Sequence, residues 1–280
     1  MVIDKAVGLL MRIYRRSPLY PRYGAMLAKV LSVVTRSRSA KLVERDINGI
    51  KFELDLSQII DASLYYSGTF EAVAEQLIAG SLHEGMTAID IGANFGYHTL
   101  AMARSVGPTG RILAIEPTAW AYAKLLRNAS LNKVSNIEFI QVGLSDSEEG
   151  EQEIAFQSSY RLDGQSATRQ EKVLITTLDS VIEKLGVSAV HFIKLDVDGY
   201  EGKVLRGARK LLKQHRPIVF FEISPSAMAK NGDSAQALLG LLQELAYAFR
   251  TESGVPINDV VLHCSHIADG YSENLVAVPA

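Results

Sequence analysis

Cysteine is almost absent from this sequence. Among 280 residues only Cys264 is a cysteine, which excludes an intramolecular disulfide and any site built from several thiolates. The run from His263 to His266 places two histidines around this cysteine, but no second group of ligand residues accompanies it. We therefore expect a structural role for this run, no resident metal, and a reducing compartment.

Long hydrophobic runs are also missing. No segment reaches the roughly 20 uncharged apolar residues that a membrane-spanning helix needs. Near the N-terminus the apolar stretches are interrupted by Arg12, Arg15 and Arg16, and no small-residue cleavage pattern follows them. A signal peptide is therefore not expected. A cytoplasmic protein is the prediction, with peripheral contact at the inner face of the membrane kept open.

Acidic residues are nearly absent from residues 1–41. This segment holds nine Lys or Arg and a single acid, so its charge is +8 and that of residues 42–280 is −10. Ile3, Val7 and Leu10 recur at helical spacing, which predicts an amphipathic helix. Such a helix either covers the domain as a solvated cap or contacts an anionic membrane surface, and both interpretations remain open.

The remainder divides into a short extension and a long catalytic region. Asn48-Gly49 separates two strand-like segments and predicts a β-hairpin, because both residues tolerate positive φ. We expect residues 1–64 to form a basic helical extension with this hairpin, and residues 65–280 to form one catalytic domain.

Strands and helices alternate from Thr87 onward. The expected core strands are Thr87–Ile91, Arg111–Ile115, Asn136–Val142, His191–Leu195, Ile218–Ile223, Tyr247–Thr251 and Leu275–Val278, with two shorter ones around Glu153–Phe156 and Lys172–Thr177. The expected helices cover residues 70–80, Tyr97–Ser105, Ala119–Leu131, Glu201–Lys213 and Ala235–Ala246. This order predicts an α/β fold with a mostly parallel, doubly wound sheet and helices on both faces.

Acidic residues follow the core strands. Asp90, Glu116, Asp196 and Glu222 all stand at predicted strand ends. In a doubly wound sheet the ligand lies at the carboxyl ends of the strands, near the point where the strand order reverses. These four carboxylates therefore mark the expected site.

A glycine-containing turn follows the first core strand. Asp90 is followed by Gly92 and Gly96, whereas Asn94 occupies the position of the middle glycine in the dinucleotide fingerprint. A pyrophosphate cradle is thus disfavoured relative to a smaller, zwitterionic ligand. Glu116 lies about 20 residues after the turn, where a carboxylate can accept both hydroxyls of a ribose.

Several blocks in order resemble one known family. The blocks are Asp90-Ile-Gly-Ala-Asn-Phe-Gly-Tyr-His-Thr-Leu100, Ile115-Glu-Pro117, Thr176-Thr-Leu-Asp-Ser180, Ile193-Lys-Leu-Asp-Val-Asp-Gly-Tyr-Glu201, Val204-Leu-Arg-Gly-Ala208 and Pro217-Ile-Val-Phe-Phe-Glu222. Together they resemble the FkbM family of methyltransferases over about residues 65 to 225. The resemblance implies a Rossmann-like class I methyltransferase fold with a seven-stranded sheet. In one departure, the usual Asp-Val-Glu-Gly reads Asp196-Val-Asp-Gly199, which puts the role of Asp198 in doubt.

The resemblance also implies S-adenosylmethionine as cofactor, with S-adenosylhomocysteine as product. The acceptor would be a hydroxyl of a sugar or glycan, a polyketide or a lipid-linked molecule. The cofactor-binding residues would be Glu71, Asp90, Gly92, Ala93, Asn94, Phe95, Gly96, Glu116, Pro117, Gly143, Leu144, Ser145 and Asp146. For two of them the alternatives remain open: Asp146 is equally well a turn residue, and Glu71 a solvated helix acid.

Methylation of a hydroxyl calls for a general base near the methyl group. The candidates are Asp196, which is the first choice, Asp198, His98 and Glu201, although Glu201 is rather expected to begin the following helix. Asp196 and Asp198 would point to one face of a strand, which could raise one pKa; a divalent cation there is not favoured, since no third ligand is identifiable. Lys194, inside an apolar strand, is expected to pair with a strand-end acid.

Two further expectations concern substrates. The polar residues 158–172 are interpreted as a flap over the acceptor. The alternative functions are a nucleic-acid methyltransferase and a non-catalytic cofactor-binding module. Nucleic acid is disfavoured, because the catalytic region is acidic and lacks a motif for an extruded base. The oligomeric state is left open.

Overall fold

The computed structural model describes residues 42–157 and 168–280. The strands are β1 Leu42–Ile47, β2 Ile50–Asp55, β3 Thr87–Ile91, β4 Arg111–Ile115, β5 Ile137–Ile140, β6 Gly143–Leu144, β7 Gly150–Gln157, β8 Thr168–Thr176, β9 Phe192–Leu195, β10 Ile218–Ile223, β11 Tyr247–Thr251, β12 Pro256–Ile257 and β13 Glu273–Pro279. The helices are α1 Ile59–Ser67, α2 Ala72–Ser81, α3 Tyr97–Val106, α4 Ala119–Asn132, α5 Leu178–Lys184, α6 Glu201–Arg206, α7 Arg209–His215, α8 Pro225–Lys230, α9 Ala235–Glu244 and α10 Val260–Ser265.

Contacts divide the chain into two compact units. The larger one comprises residues 73–126, 134–154 and 172–280. The smaller one comprises, within the described part of the chain, residues 42–72, 127–133, 155–157 and 168–171. No helix in the described residues is long and apolar enough to cross a membrane.

The larger unit is built on an eight-stranded sheet in the order β12-β11-β13-β10-β9-β3-β4-β5. The five strands from β10 to β5 run parallel, and β13 is antiparallel to both β10 and β11. The predicted class I fold is confirmed. The eighth strand, β12, is a two-residue addition that pairs with β11 at the edge.

The order of the strands reverses between β3 and β9. The chain proceeds outward from β3 to β4 and β5, then returns to place β9 on the other side of β3. Ligands of doubly wound sheets bind outside the carboxyl ends at such a point. This places the ends of β3, β4 and β9 around the expected site.

Both faces of the sheet are covered by apolar packing. Ile89 and Ile91 contribute to one buried cluster with α5, α6, α7 and α9, whereas Ala88 belongs to a second cluster with α2 and α3. Successive residues of a strand point to opposite faces. Burial on both faces explains why these strands read as continuous apolar runs.

The smaller unit contains the predicted hairpin. Strands β1 and β2 pair antiparallel, Ile47 lies opposite Ile50, and Asn48 and Gly49 have φ of 53° and 81°. The hairpin is therefore confirmed, with the two positive φ values that its sequence indicates. Helix α1, which the sequence did not predict, follows β2.

The prediction of a single helix over Glu201–Lys213 is wrong, because the structure has two separate helices there, α6 and α7. The break falls at Gly207 and Ala208, where the Gly207 carbonyl oxygen accepts from the Asp179 amide at 2.9 Å. A Cβ on Gly207 would lie 2.1 Å from the carbonyl oxygen of Ser145. The chain passes too close to the Ser145 loop for a side chain. Three other short helices, α5, α8 and α10, were also missed by the sequence analysis.

Two predictions fall partly or wholly on residues outside the described ranges. The basic residues 1–41 lie outside them, as do residues 158–167 of the expected flap. Thr168–Lys172 were expected in the flap but form the start of β8, so that boundary is corrected.

Candidate functional site

Asp90 stands at the carboxyl-terminal half of β3 and is completely buried. The Thr99 hydroxyl in α3 donates to its Oδ2 at 2.5 Å. Its Oδ1 has no hydrogen-bond partner among the described residues, and Lys194 Nζ lies 3.5 Å from it. Burying a carboxylate requires such compensation by charge and hydrogen bonds.

Lys194 in β9 is the buried cation of this site. Its Nζ lies 3.5 Å from Asp90 Oδ1 and 3.4 Å from Asp196 Oδ2, and it donates to the carbonyl oxygen of Gly92 at 3.2 Å. The expected pairing with a strand-end acid is confirmed. Since the ammonium group joins two carboxylates and a backbone carbonyl, it fastens β9 to β3 and to the loop that follows β3.

The loop between β3 and α3 is shaped by its glycines. Gly92 has φ of 75°, and a Cβ there would lie 1.9 Å from the carbonyl oxygen of Asp196. Gly96 has φ of 90°, and its Cβ would lie 2.6 Å from Leu125 Cδ1, so α3 and α4 pack closely where α3 begins. Gly92 is therefore required by the approach of the β9 chain as well as by its own backbone conformation.

Glu116 directly follows β4 and holds the same loop from the other side. Its Oε2 accepts from the Asn94 amide at 2.9 Å, and its Oε1 accepts from the Thr118 amide and hydroxyl at 3.0 and 2.6 Å. Burial raises the pKa of Glu116, while these hydrogen bonds oppose the shift. Asn94 itself has φ of 49°, which asparagine tolerates better than most residues.

The segment predicted to line an adenine is packed against β8 and α6. Gly143 has no room for a Cβ, which would lie 2.5 Å from Ile175 Cδ1. The Ser145 hydroxyl donates to Glu149 Oε1 at 2.9 Å. Arg206 in α6 binds Asp146 Oδ2 through Nε at 3.0 Å and Asp233 Oδ2 through a second nitrogen at 3.0 Å. Asp146 thus combines a turn position with a half-exposed carboxylate.

Carboxylates cluster at the ends of β9 and β10. Burial, followed by the charge of Asp196, raises the pKa of Glu222 to about 7, and Ser272 donates to its Oε1 at 2.6 Å. Asp198 is exposed, but partial desolvation of its carboxyl group, followed by the negative charge of Asp196, raises its pKa. Carboxyl groups with raised pKa values are better proton acceptors near neutral pH.

The expected arrangement of Asp196 and Asp198 on one face of a strand is wrong. Strand β9 ends at Leu195, and Asp198 has φ of 52° in a turn. The chain leaves the sheet here because Gly199, also left-handed with φ of 95°, packs against α8. No group of three or more His, Cys, Asp or Glu side chains in the described ranges is arranged to hold a metal ion.

The other predicted residues are distributed as follows. Ala93 and Phe95 are buried, and the Lys124 ammonium lies 4.7 Å from the centre of the Phe95 ring. His98 is 7% exposed in the first turn of α3 and contacts Tyr97 edge to face. Pro117 is half-buried after β4, and Leu144 is half-buried in β6. The buried Ser145 directly follows β6. Glu71 lies in the smaller unit just before α2.

The run around Cys264 has structural surroundings. His263 lies 3.0 Å from Glu273, Cys264 is buried in α10, and burial raises its pKa to about 11. A thiol with such a pKa is neither a nucleophile nor a ready metal ligand. These contacts agree with the structural role expected for this segment.

Sequence reasoning missed several supporting side chains. Thr99 and Thr118 had no assigned role, although Thr118 follows Glu116 by two residues and Thr99 stands in the helix after Asp90. Arg206 was quoted only as part of a family block, and Glu201 was considered as a general base and as a helix start but not as a support for the turn. The only signal for these four lies in their proximity to residues that sequence spacing had already selected.

Comparison with known proteins identifies a family and several similar structures. The sequence matches the family described as the Methyltransferase FkbM domain over residues 90–249. Similar solved structures include an FkbM methyltransferase from Methylobacillus flagellatus, with 16% identity, coverage of 77% of this chain and 60% of that chain, and a TM-score of 0.42. A SAM-dependent O-methyltransferase from Thermotoga maritima has 12% identity, coverage of 76% and 66%, and a TM-score of 0.44. An rRNA methylase from Streptococcus thermophilus has 13% identity, coverage of 74% and 95%, and a TM-score of 0.43. Because the family match spans more than half of the chain, the protein belongs to the FkbM family of methyltransferases.

Proposed function

We propose that this methyltransferase uses S-adenosylmethionine to methylate a hydroxyl group of a sugar or glycan, a polyketide or a lipid-linked acceptor. The observation that carries the proposal is the pair of buried carboxylates at the carboxyl ends of the adjacent parallel strands β3 and β4. Asp90 and Glu116 flank the Gly92 loop at the reversal point of the strand order. Membership of a methyltransferase family implies the cofactor, and these residues fit it.

The fit rests on features of the loop itself. Oδ1 of Asp90 is buried without a hydrogen bond among the described residues, and Lys194 Nζ, 3.5 Å away, compensates its charge. Glu116 Oε2 has one hydrogen bond shown, from Asn94, although a carboxylate oxygen can accept two. We assign Asp90 and residues 92–96 to the methionine half of the cofactor and Glu116 with Pro117 to its ribose.

The adenine is assigned to residues 143–146. Arg206 binds Oδ2 of Asp146. This leaves Oδ1 to accept from the adenine amino group, in keeping with the prediction for this residue. Glu71 lies in the smaller unit, and its contact with the cofactor's amino group stays a prediction.

When bound, the cofactor supplies an activated methyl group on a sulfonium. Asp196 is proposed as the general base: its carboxylate takes the proton of the acceptor hydroxyl as the new carbon–oxygen bond forms and the carbon–sulfur bond breaks. Its side chain is 44% exposed, so it is accessible to an acceptor. Asp198 and His98 are the alternatives. Alignment and exclusion of water are the remaining tasks of the protein.

Calorimetric titration with S-adenosylmethionine and S-adenosylhomocysteine is the first test. We expect micromolar binding by the wild type and its loss in Asp90→Ala and Glu116→Ala. Asp259→Ala, which removes a carboxylate that caps α10, is the matched control and should bind normally. Thermal melts of every variant separate lost binding from lost folding. Failure of the wild type to bind either ligand would contradict the proposed cofactor.

The acceptor class is tested with cofactor carrying a radiolabelled methyl group. The panel holds neutral glycans, lipid-linked glycans, polyketide alcohols, ribosomal RNA and transfer RNA. Transfer to a hydroxyl acceptor, lost in Asp196→Asn, supports the proposal. Transfer to RNA alone would instead support the nucleic-acid methyltransferase. Cofactor binding without transfer to any acceptor would support the non-catalytic cofactor-binding module.

The basic residues 1–41 are proposed to contact anionic membrane surfaces peripherally, at the inner face of the cytoplasmic membrane. Their charge of +8 carries this proposal. Full-length protein should sediment with vesicles containing anionic lipid, and more so at low salt. A chain starting at Leu42 is the control. Equal sedimentation of the two proteins would exclude the proposal.

A further inference from the structure

The turn that joins β9 to α6 is held by the side chain of Glu201. This residue is completely buried, and its Oε1 accepts from the amides of Val197 and Gly199 at 3.0 and 3.1 Å. Its Oε2 has no hydrogen-bond partner among the described residues. Neither a general base nor an acid at a helix start, the two roles considered for Glu201 from the sequence, accounts for these two bonds.

The turn needs this support because two of its residues are left-handed in succession. Asp198 and Gly199 have φ of 52° and 95°. A non-glycine residue in this region costs roughly 1 kcal/mol or more and persists only where its surroundings determine it. The two amides that donate hydrogen bonds to Glu201 belong to the residues on either side of Asp198.

The outer side of the turn is also fixed. The Asn231 side chain donates to the carbonyl oxygen of Asp198 at 3.1 Å. A Cβ on Gly199 would lie 2.6 Å from the carbonyl carbon of Ala227 in α8. The turn is therefore enclosed between α8 on one side and the Glu201 carboxyl on the other.

The turn between β9 and α6 also supports the Gly92 loop. A Cβ on Gly92 would lie 1.9 Å from the Asp196 carbonyl oxygen and 3.5 Å from Val197 Cγ1. These are the two residues directly before the left-handed pair. Displacement of the turn therefore changes the surface against which the Gly92 loop packs.

We propose that Glu201 is a positioning residue: by accepting from the Val197 and Gly199 amides it fixes both the Asp196 carboxylate and the Gly92 loop for the cofactor. This inference rests on the proposed function for its effect on the cofactor, but not for its effect on the turn. Burial raises the pKa of Glu201 to about 7, so a neutral side chain with the same acceptor atom can replace it. That property gives the proposal a sharp test.

The test compares Glu201→Gln, Glu201→Asp and Glu201→Ala. Glutamine keeps an oxygen at the same reach, aspartate keeps the acid but is one methylene shorter, and alanine removes both. The dissociation constant for S-adenosylhomocysteine should rise about tenfold in the aspartate and alanine variants and stay within about threefold in the glutamine variant, because small displacements of positioning groups are costly. Hydrogen exchange at the Val197 and Gly199 amides should accelerate in the same two variants.

Asp179→Ala is the matched control. Asp179 also accepts from two backbone amides, those of Lys210 and Leu211, at 3.0 and 2.9 Å. The Asp179→Ala variant should lower the melting temperature about as much as Glu201→Ala does. It should not change the dissociation constant for S-adenosylhomocysteine or the hydrogen exchange at the Val197 and Gly199 amides. An equal rise in the dissociation constant for this control would reduce Glu201 to a general contributor to stability.

Two results would overturn the proposal. One is unchanged exchange at Val197 and Gly199 in Glu201→Asp, and the other is a glutamine variant that behaves like the alanine variant. Absence of S-adenosylhomocysteine binding by the wild type would contradict the proposed cofactor, while the exchange measurement would still decide whether Glu201 holds the turn.

Discussion

Nζ of Lys194 lies 3.5 Å from Oδ1 of Asp90, and both side chains are at most 5% exposed. Two neighbouring parallel strands, β9 and β3, thus place opposite charges in the same buried layer, where Asp90 lies directly across from Lys194 in the register. The pair keeps Asp90 in place at the glycine loop, and the same ammonium group reaches Asp196.

Removal of the Lys194 ammonium group should therefore lower the free energy of unfolding. In Lys194→Met the buried Asp90 carboxylate loses its compensating charge, and we expect a loss of about 3–5 kcal/mol in the free energy of unfolding. The double variant with Asp90→Asn should lose less than Lys194→Met alone, because no uncompensated charge remains at Asp90. Urea denaturation measures both, with Lys213→Met as an exposed control. A double variant less stable than Lys194→Met would contradict this account.

Gly92→Ala should damage the loop more than its backbone conformation alone explains. Gly232 is the matched control: its φ is 74° against 75° for Gly92, but a Cβ there would meet nothing within 4 Å. Gly232→Ala should cost about 1–2 kcal/mol of unfolding free energy, the usual cost of a left-handed residue with a Cβ. Gly92→Ala should cost more and also weaken S-adenosylhomocysteine binding. Equal losses in the two variants would show that the Asp196 carbonyl yields readily.

Glu222 should make the stability depend on pH. Its pKa rises from the ordinary 4.5 to about 7 through burial and the charges of Asp196, Glu201 and Asp198, whereas Ser272 opposes the shift. The folded protein then binds a proton more tightly than the unfolded chain, so this stabilisation is complete below about pH 4.5 and is lost as the pH rises to about 7.

Denaturation between pH 4.5 and 8 measures this dependence. Glu222→Gln should flatten the decline, because the group that loses its proton is gone. Glu183→Gln, a change at an exposed carboxylate in α5, should leave the slope as in the wild type. An unchanged slope in Glu222→Gln would assign the decline to other groups.

Arg206 should be coupled more strongly to Asp233 than to Asp146. Both ion pairs have a separation of 3.0 Å, but the Asp233 side chain is 4% exposed and that of Asp146 is 38% exposed. Water and salt weaken the more exposed pair, so its coupling energy should be about 0–1 kcal/mol. The Asp233 pair should reach about 1.5–3 kcal/mol, typical of a hydrogen bond to a charged group with less access to water. Double-mutant cycles with Arg206→Gln, Asp146→Asn and Asp233→Asn provide the comparison.

Much of the sheet was predictable because its strands follow local rules. Thr87–Ile91, Arg111–Ile115, Ile218–Ile223 and Tyr247–Thr251 have the boundaries that the apolar runs indicate. The first three are buried on both faces, which makes their pattern continuous and easy to delimit, whereas Tyr247–Thr251 alternates buried and exposed residues. The short helices α5, α8 and α10 have six or seven residues, too few for an amphipathic period to stand out.

The sequence by itself determined the class of fold, the acids at the strand ends and the family. These follow from alternating apolar runs, from residues at fixed distances along the chain and from ordered blocks of similarity. Only the tertiary structure decided which groups those acids meet. The ion pair of Lys194 with Asp90 and those of Arg206 with Asp146 and Asp233 are contacts across elements. Their geometry depends on the register of neighbouring strands and the packing of helices, which no local spacing encodes.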